Sequence, residues 1–243
     1  MKVVVNPKYE HFREWITSIP ACFFSTGDVI YDARNQIRHT TINGVSVCIK
    51  RFHTPYFVNR IIYSFFRMSK AKRAYQNALT LIERNIATPD PIAYILCGNG
   101  LLQESYLITI ESALKRNFYE FGDGIVTGKE DILRAFAHYT AQAHEAQLYH
   151  LDYSPGNILF DKIQGTWRFE MIDINRMEIN TVVNMKKGCK NFARLWGRAD
   201  LHKIIAKEYA LIRGFDIEQC QKLVLRAREK FWKKRPHPFF TYD

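Results

Sequence analysis

The run His150-Leu151-Asp152-Tyr153-Ser154-Pro155-Gly156-Asn157 restricts what this chain can become more than any other stretch. Proline fixes one backbone dihedral and glycine supplies a permissive next step, so Pro155-Gly156 makes a tight turn between an aspartate and an asparagine. Ile158-Leu159-Phe160 then reads as a short strand, and 169–172 reads as a second one that ends at Asp173. Pairing of those strands brings Asp152, Asn157 and Asp173 towards one point. Hard oxygen groups gathered in this way suit a magnesium-bound polyphosphate beside a nucleophilic hydroxyl. Mg²⁺ takes few protein oxygens and leaves its other positions to phosphate and water.

Upstream of this loop the texture is that of strands. Residues 29–34 and 38–52 read as strands, with turns at Asn35-Gln36 and Asn43-Gly44. In 44–52, Val45, Val47 and Ile49 alternate with Ser46, Cys48 and Lys50, which puts Lys50 on the face opposite the valines. A helix is predicted over 69–85, with Ser69 as its N-cap and Ala71, Tyr75, Ala78, Leu79 and Ile82 on one face. Thr88-Pro89-Asp90-Pro91 ends it, and strands at 91–97 and 102–108 follow.

Beyond Ile110 helices take over. Thr127-Gly128-Lys129-Glu130 reads as a capping box opening a helix in which Ile132, Phe136, Tyr139, Ala143 and Leu148 recur, running to Tyr149. His144 on that helix reads as a packed, hydrogen-bonded histidine. The stretch 191–234 is helical and basic. The expectation is an α+β chain of two lobes. Residues 1–110 form an antiparallel sheet with one helix, and residues 111–243 are mainly helical and carry a β-hairpin.

Thirty-five lysines and arginines against 24 acidic residues leave a net charge of +11, which favours an anionic partner. No helix-turn-helix, RNA-recognition or zinc-finger pattern accompanies the charge, so nucleic acid is not expected. The five cysteines (22, 48, 97, 189 and 220) are scattered with no CxxC pair, which argues against structural zinc and for free thiols in a reducing cytosol. The longest apolar stretch, 57–68, is interrupted by Asn59, Arg60 and Arg67, so no span is expected and the location reads as cytoplasmic or peripheral. Two stretches mix cations with aromatics. The first, 57–67, suits either an interfacial helix or packing beneath the next helix; the second, 225–235, suits either anionic head groups or a solvated helix end.

These residues resemble the protein-kinase-like fold over 29–177. The stretches Phe65-Phe66-Arg67-Met68-Ser69-Lys70-Ala71-Lys72-Arg73 and Ile86-Ala87-Thr88-Pro89-Asp90-Pro91-Ile92 are similar to lipopolysaccharide kinases of the Kdo kinase/WaaP family. The resemblance implies an ATP- and Mg²⁺-dependent kinase that phosphorylates a Kdo or heptose hydroxyl of the lipopolysaccharide inner core at an anionic membrane face. No specific protein partner is expected. Carried over by position, Lys50 resembles the lysine that grips the ATP phosphates and Asp152 the catalytic base. His150 resembles the loop organiser, Asn157 and Asp173 the magnesium ligands, and Thr109, Ile110 and Glu111 the adenine hinge.

The chain departs from the pattern in three places. Ala74 stands where a helix glutamate pairs with the lysine, no GxGxxG precedes Lys50, and the DFG and HRD motifs read Asp173-Ile174-Asn175 and His150-Leu151-Asp152. The lost arginine implies no activation-loop phosphosite. A small-molecule phosphotransferase of the aminoglycoside or choline type, and a catalytically silent kinase-like binding protein, remain alternatives.

Overall fold

The computed structural model describes residues 1–33, 35–54, 68–99, 101–123, 125–233 and 235. They divide into two compact units, Met1–Glu83 with Thr88–Ala113, and Arg84–Ala87 with Leu114–Asp243. The basic, aromatic stretch 57–67 lies outside the described residues.

The first unit is built on a six-stranded antiparallel sheet. Its strands are β1 (Lys2–Val5), β2 (Asp28–Asp32), β3 (Asn35–Ile42), β4 (Val45–Phe52), β5 (Pro91–Leu96) and β6 (Ser105–Ile110), in the order β1-β5-β6-β4-β3-β2. Ile42 pairs with Val45, so Asn43 and Gly44, both at positive φ, form a two-residue hairpin turn whose hand matches the strand twist. The turn expected at Asn35-Gln36 falls earlier, because Gln36 already pairs with Asp32.

Alternation along the strands divides the core into two layers. Val47, Ile49, Ala93, Ile95 and Ile108 are buried on one face, under Ile16 and Ile19 of α1 (Arg13–Cys22). Phe52 and Tyr94 lie on the other face with Ala71 and Tyr75 of α2 (Lys70–Glu83). Ser69 caps α2 as expected, its hydroxyl accepting from the Lys72 N–H at 3.2 Å. Helix α1 is a second helix in a unit expected to hold one. Its β-branched Ile16, Thr17 and Ile19 and its internal Pro20 carry poor helix propensity, and burial of Ile16 and Ile19 against the sheet overrides it.

The second unit holds two small sheets and four helices among its described residues. Strands β7 (Arg116–Asn117), β9 (Ile158–Ile163) and β10 (Thr166–Met171) pair in the order β10-β9-β7, and β8 (Leu148–His150) pairs with β11 (Met177–Ile179). Helix α3 (Glu130–Glu145) begins without the expected capping box. Gly128 at φ +79° sits in a turn closed by Lys129 N–H to Val126 O at 2.8 Å, and Lys129 supplies no side-chain cap. The helix also stops before Tyr149, because Gln147 takes a left-handed conformation and the chain leaves as β8.

Phe118, Phe136, Phe160 and Phe169 fill the space between α3 and the hairpin, Phe118 and Phe136 with centroids 4.2 Å apart. Helices α4 (Met185–Asn191), α5 (Ala199–Arg213) and α6 (Ile217–Trp232) complete the unit. Part of the basic segment 225–235 turns inward in α6. Arg228 and Trp232 are buried and donate to the carbonyls of Gly197 and Leu195. Among the described residues no helix is long and apolar enough to cross a membrane.

Candidate active site

His150 ends β8 almost wholly buried. Its Nδ1 accepts the Asp152 N–H at 3.0 Å and its Nε2 donates to Ile172 O at 3.1 Å. Those partners define a neutral ring with its hydrogen on Nε2. Burial pushes the His150 pKa down to about 4, against a smaller upward pull from the Ile172 carbonyl and Asp173. Asn157 completes the loop by donating Nδ2 to Asp152 O at 2.9 Å, which turns its amide oxygen away from that contact. Ile172 N–H donates to Asn157 O at 3.0 Å. The residue after it, Asp173, is at φ +54°, a left-handed conformation that aspartate tolerates better than most side chains. Asn175 Nδ2 donates to Asp173 Oδ1 at 2.6 Å. Hydrogen bonds thus tie His150, Asp152 and Asn157 to the strand that delivers Asp173.

A second layer supports the frame. Asn191 Nδ2 donates to His150 O at 2.9 Å, while its Oδ1 accepts from His144 Nε2 at 3.0 Å. His144 Nδ1 accepts from the Tyr209 hydroxyl at 2.8 Å, and that hydroxyl accepts from Arg213 Nη1 at 2.9 Å. Four side chains from α3, α4 and α5 therefore end on the backbone of the loop. The His144 ring, completely enclosed, has its pKa pushed down to about 4 by desolvation.

Two cations absent from the sequence reading face Asp152. Arg194 Nη1 is ion-paired with Oδ1, and Arg176 Nη1 lies 3.6 Å from Oδ2. A cavity of about 570 Å³ in the same unit is lined by Arg134, His138, Trp167, Arg168 and Glu208 among others, and includes none of these loop residues.

Lys50, Thr109, Ile110 and Glu111 belong to the other unit. Lys50 stands opposite Leu107 on β4, on the α2 side of the sheet, with Nζ 5.3 Å from the Phe52 ring centroid. Ala74 is buried in α2 and brings no carboxylate to that face. The one acid of α2, Glu83, is its exposed last residue. Thr109 pairs with Cys48, Ile110 N–H donates to Asp90 O and Glu111 N–H to Ser46 O, both at 2.9 Å, and Glu111 Oε2 lies 3.0 Å from His39 Nε2.

Among the described residues no three His, Cys, Asp or Glu side chains are placed to share a metal ion. Asn157 and Asp173 offer an amide and a carboxylate oxygen. That hard, sparse donor set fits Mg²⁺ completed by phosphate and water rather than a zinc or calcium cage.

The model of the lipopolysaccharide kinase (Kdo/WaaP) family matches residues 32–214 of the chain. No curated protein matches it. Among solved structures the chain is similar to WaaP in complex with acyl carrier protein, at a TM-score of 0.65 and 16% identity, over 97% of this chain and 100% of that one. The architecture is thus the α+β, protein-kinase-like one. The WaaP of that structure is held with a protein partner. The family consists of phosphotransferases, and this chain, matched across both units, belongs to the lipopolysaccharide kinase (Kdo/WaaP) family.

Proposed function

We propose that this kinase transfers the γ-phosphoryl group of Mg-ATP to a sugar hydroxyl, of Kdo or heptose, in the lipopolysaccharide inner core. It would do so at the cytoplasmic face of the inner membrane. The observation that carries the reading is the hydrogen-bonded frame of His150, Asp152, Asn157 and the strand leading to Asp173. Asp152 accepts the proton of the attacking hydroxyl as its oxygen bonds to the γ-phosphorus and the bond to ADP breaks. The neutral His150 ring fixes the Asp152 backbone, which sets where the carboxylate leaves the loop. Asn157 and Asp173 hold the magnesium ion, which when bound screens the charge developing on the phosphates. Lys50 holds the α/β-phosphates, and the backbone of Thr109, Ile110 and Glu111 borders the adenine.

The charge of +11 fits an anionic glycolipid acceptor in an anionic leaflet. An acyl carrier protein joins the proposal as a partner of this chain, tested by co-elution of the two purified proteins. The test of activity is transfer of label from γ-labelled Mg-ATP to Kdo-containing lipid A in vesicles, with Asp152→Asn alongside. Label that appears in the glycolipid and vanishes with Asp152→Asn is the expected result. Label in a soluble amino sugar, with the glycolipid silent, overturns the acceptor assignment.

A further inference from the structure

Asp152 is outnumbered by the cations around it. Its two oxygens face two different guanidiniums, Arg194 at Oδ1 and Arg176 at Oδ2. The arginines reach it from separate elements. Arg176 lies on the link between β10 and β11, with its carbonyl accepting the Leu151 N–H at 2.9 Å, so it is fastened to the loop it faces. Arg194 ends the short 3₁₀ turn Phe192–Arg194, and its guanidinium lies over the Phe231 ring at 5.4 Å. Arg235 lies over the same ring at 4.4 Å, which adds a third cation to the patch.

The three partners of the ion-paired cluster remain open to solvent, with side-chain exposures of 27% for Asp152, 32% for Arg194 and 55% for Arg176. One carboxylate therefore holds two guanidiniums beside the position where an acceptor hydroxyl must arrive. A guanidinium carries five donors in a planar fork, so each can hold a second oxyanion beyond the contact it makes with Asp152.

We propose that Arg176 and Arg194 form the recognition site for an oxyanion carried by the acceptor, a carboxylate or phosphate close to the hydroxyl that attacks. The substrate class that follows is an acidic sugar. Arrival of its anion draws Arg194 off Asp152 Oδ1 and leaves that oxygen facing the hydroxyl, so recognition of the acid and exposure of the base are one event. Arg194 acts through Asp152 and the acceptor, as a positioning and specificity residue. The idea rests on the reaction proposed above, because it takes Asp152 as the base of that transfer.

The test crosses enzyme variants with edited acceptors, using γ-labelled Mg-ATP throughout. The acceptors are Kdo-containing lipid A, the same glycolipid with its sugar carboxylate reduced to an alcohol, and the same glycolipid stripped of its phosphates. The variants are Arg194→Gln, which keeps a donor and loses the charge, Arg194→Lys, which keeps the charge and loses the fork, and Arg176→Gln.

On the intact acceptor Arg194→Gln lowers kcat/KM by roughly 10- to 100-fold, as expected for loss of one charge-assisted hydrogen bond, with KM for ATP unchanged. Arg194→Lys recovers part of the loss. On the acceptor that lacks the recognised anion, wild type drops by a similar factor and Arg194→Gln costs less than about threefold more, the non-additivity of two groups in direct contact. Whichever edited acceptor shows this pattern identifies the anion as carboxylate or phosphate. Equal losses for Arg194→Gln on all three acceptors overturn the proposal and leave the arginine a partner of Asp152 alone. Wild type that transfers to none of the acceptors overturns instead the reaction on which the proposal rests.

Discussion

Acid should weaken this protein before its carboxylates begin to titrate. His144, His150 and His202 are each completely enclosed, and burial lowers each pKa from 6.5 to about 4. The hydrogen bonds explain why the rings stay neutral. His150 Nδ1 is occupied as an acceptor by the Asp152 N–H and His144 Nδ1 by the Tyr209 hydroxyl, so a second ring proton would displace a donor in each. His202 uses Nδ1 on Arg198 O, and complete burial outweighs the upward pull of the Arg198 and Phe192 carbonyls on its ring.

Between pH 6.5 and 4 the unfolded chain binds protons that the folded chain excludes. The stabilisation is complete above 6.5 and is lost as pH falls towards 4. At pH 5 the loss is about 2 kcal/mol per ring, or about 6 kcal/mol for three, against a total stability of about 5–15 kcal/mol for domains of this kind. Glu104, held below its ordinary pKa mainly by Arg51, gives up stability only at lower pH, so it does not account for losses above pH 5. The assay is guanidinium unfolding followed by fluorescence of the four tryptophans at pH 7.5, 6 and 5. The midpoint should fall steeply below pH 6.5 at constant m-value, and His202→Gln should remove about a third of that dependence. A midpoint that holds steady from pH 7.5 to 5 would refute the argument.

Three further outcomes follow from the same packing. Gly188→Ala places a Cβ 2.1 Å from Tyr209 Oη, and should cost about 2–3 kcal/mol in guanidinium unfolding, while Gly165→Ala, with nothing within 4 Å and φ +79°, should cost only about 1–2 kcal/mol. Asn191→Leu strands the His144 N–H and the His150 carbonyl, and should destabilise by about 2–4 kcal/mol with a fall in kcat larger than any change in KM for ATP. Asn157→Ala removes an amide that orients the loop and is proposed to ligate magnesium. It should raise the Mg²⁺ concentration for half-maximal transfer by about tenfold or more, and an unchanged magnesium curve would remove Asn157 from the metal site.

What the sequence made legible was local in origin. The Asn43-Gly44 hairpin, the Ser69 cap and the Asp152–Asn157 loop are each specified by residues within a few positions of one another, so turn and cap chemistry identifies them. Helix α1 was missed for the opposite reason. Its Ile16, Thr17, Ile19 and Pro20 oppose a helix locally, and only the sheet face they cover makes one. The Thr127–Glu130 pattern misled in the other direction, because a capping box needs Thr127 at the N-cap, and the turn at Gly128 hands that place to Lys129.

The site shows the same division more sharply. A residue can be named from sequence when its chemistry is set by its own loop, as with His150, Asp152 and Asn157. Arg194 and Asn191 lie far along the chain, among ordinary helical residues, and nothing in their neighbourhoods marks them. They matter because α4 returns to the loop, where Asn191 reaches the His150 carbonyl and Arg194 reaches the Asp152 carboxylate three residues later in the chain. The two contacts are therefore coupled through one short stretch of backbone. Substitution at Asn191 that shifts this stretch should move Arg194 as well, so Asn191→Leu should weaken discrimination between acidic and edited acceptors even though it touches neither. Full discrimination in that variant, at reduced kcat, would show that the arginine is held by Phe231 and not by the end of α4.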